Sequence, residues 1–148
     1  MEASQALFVI GAAVPAFAGA AHVVGTLVDT VRLTFFAPIN DEARVQMSAT
    51  GLRLRQMAPG RRSDTPTIWQ LWLGFNLSHG LGVLGIGALL LLLGTQDFTF
   101  VKDSGYVFPF AIAVFGSFTL IAIRFWFYAP ILIVSTATAC FAASYALA

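Results

Sequence analysis

Charge is scarce in this sequence. Of its 148 residues 10% are Asp, Glu, Lys or Arg, against about 25% in an ordinary soluble domain, which places it outside the soluble range. The formal balance is +1, without the basic excess that a nucleic-acid-binding surface requires, so nucleic acid is excluded as a partner. Cysteine is scarcer still. Cys140 stands alone, which excludes a disulfide within the chain, a Cys-x-x-Cys pair and a thiolate cluster for zinc or iron–sulfur. The quinone-linked dithiol oxidoreductases, also small helical membrane proteins, go with them. Nothing marks an activated nucleophile, a metal triad or a phosphate-binding loop.

What the sequence has is apolar length. It is 58% hydrophobic with a mean hydropathy of +0.82, and 148 residues accommodate four spans of about 20 residues each. The first runs from about Ala6 to Val28. Ala16-Phe17-Ala18 resembles a signal-peptidase site, but Glu2 and no Lys or Arg precede the apolar run, so a retained helix, kinked at Pro15, is expected. The second covers Ile68–Leu93, the third Tyr106–Ile123 and the fourth residues 129–146. Trp69 and Trp72 suit the interfacial belt at the start of the second span. Pro130 suits the first turn of the fourth, whose Ser135, Ala139 and Ala142 or Ala143 form a small-residue packing face with Cys140 beside it as a small hydrophobe.

The polar segment Asp29–Thr67 carries Arg32, Arg44, Arg53, Arg55, Arg61 and Arg62, six of the eight basic residues. The positive-inside rule therefore places it in the cytoplasm and both termini outside, with Arg124 at a cytoplasmic helix end and the acidic link Gly94–Gly105 external. Within the loop, Asn40 or Asp41 reads as the N-cap of a short helix that runs to Thr50 and is stopped by Gly51. Leu52, Leu54 and Met57 alternate with Arg53 and Arg55, which fits either a segment lying in the headgroup region or a solvated loop. The expected fold is an all-α, left-handed four-helix membrane bundle.

Against this background the stretch from Trp69 to Gly82 stands out, since Gln70, Asn76, Ser78 and His79 all fall inside an apolar run. Hydrocarbon offers no water to satisfy such groups, so polar residues held there are candidates for function. The other histidine, His22, lies in the first span. At 1.5 Å per residue the two imidazoles sit about 9 Å and 16 Å from the cytoplasmic boundary, comparable depths on adjacent antiparallel helices. Asn76 shares the helical face of His79 with Trp72 and Phe75; Gly25, Thr26 and Asp29 share that of His22. Asp29 is expected to pair with Arg32 or Arg124. Gly80, Gly82, Gly85 and Gly87 read as helix-packing positions.

Three readings of the His22, Asn76, Ser78, His79 and Asp29 region stay open. One is axial ligation of a b-type haem by His22 and His79, with glycine leaving room for the macrocycle. Another is a pocket for a small lipophilic molecule, bound or acted upon with an imidazole as acid or base. The third is structural: interhelical hydrogen bonds, worth about 0.6 kcal/mol on average, in a protein packed beside a larger membrane complex. Lipids are partners in every case.

The segment Trp72-Leu-Gly-Phe-Asn-Leu-Ser-His79, with Ala21-His22 and Arg124-Phe-Trp-Phe before Pro130, resembles a group of small four-span bacterial membrane proteins, similar in outline to the DoxX-like four-helix families. The distinctive part is the Phe-Asn-x-Ser-His-Gly core at residues 75–80. The resemblance implies a four-helix bundle in a bacterial inner membrane and carries over no catalytic residue.

Overall fold

The computed structural model describes residues 1–32, 34–36, 38, 40–51 and 66–148. Among these the chain is all-α. Helices α1 (Ala3–Asp29), α3 (Ile68–Gln96), α5 (Val107–Phe125) and α6 (Tyr128–Leu147) are the four spans, and α2 (Asp41–Ala49) and α4 (Phe98–Asp103) are short connectors. Each long helix is long and apolar enough to cross a membrane, yet between 17% and 28% of its most apolar window is buried within the molecule. The remaining apolar surface faces outward, which water would penalise and acyl chains do not. This is a multi-pass membrane protein built as a four-helix bundle.

The chain divides into two compact units, Met1–Ala20 with Leu81–Ala148, and Ala21–Gly80. The first is cored by phenylalanine. Phe8 of α1, fully buried, meets Phe98, Phe108 and Phe141 in edge or tilted contacts of 5.9, 5.5 and 5.2 Å between ring centroids. Small residues bring the backbones together around it: Gly94 lies under the Phe8 ring and Gly11 against Cys140 and Phe141. The few polar groups inside are satisfied across helices. Ser144 donates to the Ser4 carbonyl at 2.6 Å, Gln5 to the Gly94 carbonyl at 3.0 Å, and Thr119 and Thr138 share a hydrogen bond between α5 and α6. Replacing Ser144 by Ala removes this added bond between the two helices and is expected to lower stability by about 1 kcal/mol, measured as a shifted SDS-unfolding midpoint; Ser135→Ala, whose hydroxyl returns to its own helix at Ile131, is expected to leave the midpoint in place.

Two boundaries differ from the hydropathy reading. The second span continues to Gln96, and the link after it folds as α4. Asp97 caps that helix through the Phe100 amide at 3.0 Å, Phe98 and Val101 turn one face into the core, and Gly105 ends it at φ 70°, where a side chain is unfavourable.

In the second unit Asn40 is the N-cap of α2, its side chain accepting from the Ala43 amide at 2.8 Å, with Asp41 and Glu42 in the first turn where the helix dipole favours them. A single bridge, Gly51 with Thr67, returns the chain to α3. There Thr67 and Gln70 bond each other's backbone amides reciprocally, at 3.2 and 2.9 Å, so Gln70 closes a capping box rather than standing as an isolated polar group in the span. The alternation of Leu52, Arg53, Leu54, Arg55 and Met57 lies outside the described residues.

Candidate functional site

The site belongs wholly to the second unit. Its approach is set by Gly80: a β-carbon there would stand 3.0–3.2 Å from Val23 and the His22 ring, so hydrogen is what lets α3 lie against α1. With the helices in contact, His22 Nε2 meets Asn76 Oδ1 at 3.0 Å, and Asn76 Nδ2 donates to the Trp72 carbonyl one turn back at 2.8 Å. The second bond orients the first. Because the amide must present its N–H to Trp72, its oxygen faces His22, and His22 Nε2 carries the proton while Nδ1 keeps a lone pair. Asn76 is 2% exposed, and both ends of its amide are used.

The imidazoles of the two histidines lie close together. The rings of His22 and His79 are in edge contact with centroids 5.6 Å apart, and Phe75 stacks on His79 at 5.7 Å with 10° between planes. His79 is half-buried, whereas Phe75 and Trp72 are exposed on the outward side of α3. The site therefore has an inner hydrogen-bonded pair, His22–Asn76, and beside it a half-buried imidazole stacked on exposed aromatic carbon.

Phe36, in the turn after α1, covers His22 with ring centroids 4.3 Å apart. Asp29 puts it there. This carboxylate, 1% exposed, accepts from the amides of Thr34 and Phe35 at 2.7 and 2.8 Å through one oxygen and from the amide of Phe36 through the other. In place of the expected ion pair with Arg32, backbone amides hold the carboxylate: where the chain reverses just past Asp29 they lie closer than the long side chain of Arg32. Trp72 Nε1 donates to the Phe36 carbonyl at 2.9 Å, fastening the same turn to α3. Gly25 makes the seat, since a β-carbon there would come within 2.9 Å of the Phe36 ring.

Of the five residues singled out from sequence, His22, Asn76 and His79 converge, and Asp29 reaches the cluster through Phe36. Ser78 does not join it; it is exposed and its hydroxyl bonds the Phe75 carbonyl of its own helix. No group of three or more His, Cys, Asp or Glu side chains is placed to hold a metal ion among the described residues. The arrangement does not fit a bis-histidine haem either. His22 Nε2 is engaged by Asn76, and the His22 and His79 rings are already in edge contact with centroids 5.6 Å apart, where a macrocycle would have to lie between them. Comparison with protein-family models, with curated proteins and with solved structures finds no match to this chain.

Proposed function

We propose that this is a bacterial inner-membrane protein, with its basic 29–67 loop in the cytoplasm and both termini outside, that binds a lipophilic small molecule carrying a polar head at His22, Asn76 and His79. The observation that carries the reading is the two-sided character of the cluster. An amide with both ends committed fixes one imidazole, while the second imidazole lies half-buried beside exposed Phe75. A ligand entering from the acyl chains would meet aromatic carbon first and a hydrogen-bonding ring behind it, the usual division of labour in a ligand site. The likeness of residues 72–79 to small four-span bacterial proteins, DoxX-like in outline, supports the setting, and the arginine distribution supports the orientation. The same His22–Asn76 bond also favours a second reading, that the cluster joins helices in an accessory subunit of a larger complex.

Thermal unfolding in mild detergent separates the two. Total lipid extract is expected to raise the midpoint of the wild type, as a ligand at about 100 times its Kd adds about 2.7 kcal/mol, and to leave His79→Ala and Asn76→Ala where they were. An equal shift in all three proteins, with a stoichiometric partner co-purifying from native membranes, returns the structural reading. For the orientation, a tag inserted in the 29–67 loop is expected to be inaccessible from outside the cell; labelling of intact cells overturns it.

A further inference from the structure

We propose that the turn carrying Thr34, Phe35 and Phe36 is a gate over the His22 imidazole, with Phe36 as its cover and Asp29 as the positioning residue that latches it. The proposal rests on the binding function above and concerns how that site is opened.

Three separate features converge on one ring. Asp29 gathers three successive amides, and the last of them belongs to Phe36. Trp72 holds the Phe36 carbonyl from the opposite helix. Gly25 leaves the space into which the ring drops. Among the described residues of the turn, Thr30, Val31, Arg32, Thr34 and Phe35 are exposed and Phe36 is half-buried. An exposed turn fastened mainly through two side chains, Asp29 and Trp72, opens locally at a cost well below that of unfolding the molecule. Opening it uncovers the face of His22 that Phe36 occupies at 4.3 Å, while the His22–Asn76 bond, made from α3, stays intact. A flat group of a ligand can then take the place of the phenyl ring, for which the imidazole face is already a partner.

The gate has a readout that needs no ligand. Carbethoxylation of the two histidines by diethyl pyrocarbonate, followed residue by residue by mass spectrometry in detergent without lipid extract, measures how often each ring is reached, and His79 serves as the internal reference. Phe36→Ala removes the cover. Asp29→Asn keeps one acceptor oxygen but turns an N–H₂ toward the Phe36 amide, which undoes the latch. Both are expected to speed labelling of His22 relative to His79 by roughly tenfold, the scale of losing a charge-assisted bond. Phe36→Trp, which restores a flat ring, is expected to return it to the wild-type rate. An unchanged His22 rate in Phe36→Ala and Asp29→Asn overturns the gate, as does an equal acceleration at both histidines, which reports general loosening. Because the labelling is done without ligand, its failure is distinct from failure of the binding reading, which appears only as a missing stabilisation of the wild type by lipid extract.

Discussion

Replacing Phe8 by Ala is expected to lower the stability of the protein by about 3 kcal/mol, at the lower end of the range for burying and then losing a phenyl ring. The reasoning differs from that for a soluble core. In a bilayer the separated helices keep their apolar side chains in hydrocarbon, so transfer out of water contributes little and close packing contributes most. Phe8 is fully buried and its ring meets those of Phe98, Phe108 and Phe141, while Gly94 gives it a floor. Truncation removes three aromatic contacts, each worth about 0.5–1.5 kcal/mol, and leaves a buried void lined by residues of α3, α4, α5 and α6. Phe17→Ala provides the control. Its ring lies on the same helix but is 78% exposed, so its loss should move the unfolding midpoint by less than about 0.5 kcal/mol. SDS-induced unfolding of both purified variants checks the pair, and equal midpoints would remove Phe8 from the core argument.

The spans were legible because hydropathy sums over some twenty residues, and errors at either end barely alter the total. Hence α1, α3, α5 and α6 fall within a few residues of their expected limits. Helix α4 was not legible in that way. Its six residues include Lys102 and Asp103, and over so short a window two charges outweigh Phe98 and Val101, although those two stand three apart and share a face. The capping box at Thr67 and Gln70 is written in the sequence as Thr-x-x-Gln before an apolar run, a pattern that hydropathy, blind to local hydrogen bonding, does not register.

The site divides similarly. That His22, Asn76 and His79 meet follows from helical face and depth, both computable from residue numbers. Phe36 could not be found so. Its place depends on the chain reversing after Asp29, and a sequence displays the charge of a carboxylate without the direction of the amides around it. An arginine therefore looked like the natural partner, and the amides of Thr34, Phe35 and Phe36 took its place. Ser78 shows the converse: its spacing put it near the cluster, yet a hydroxyl satisfied by the Phe75 carbonyl of its own helix has no need of a partner across the bundle.

The glycines of α3 looked alike in sequence, and the structure separates them into two kinds, which a pair of substitutions should expose. A β-carbon at Gly87 would lie 2.6 Å from the Ala16 amide nitrogen and 2.9 Å from its α-carbon, both backbone atoms, whereas at Gly82 and Gly85 nothing stands within 4 Å. A side chain can rotate away from an added methyl group; a helix backbone cannot. Gly87→Ala must push α3 away from α1 along the packed stretch, and overpacking of this kind costs about 1–3 kcal/mol, with the upper end expected because the obstacle is main chain. Gly85→Ala meets no obstacle and gains the helix propensity of alanine over glycine, up to about 1 kcal/mol in water, so neutrality or a slight gain is expected. The two variants differ by one methyl group two residues apart, and SDS-unfolding midpoints compare them directly. Matching destabilisation would mean that the face of α3 bearing Gly82 and Gly85 is occupied in the folded protein, and matching neutrality would mean that α1 and α3 do not meet at Ala16. Opposite outcomes fix the close approach of the two helices at Gly87.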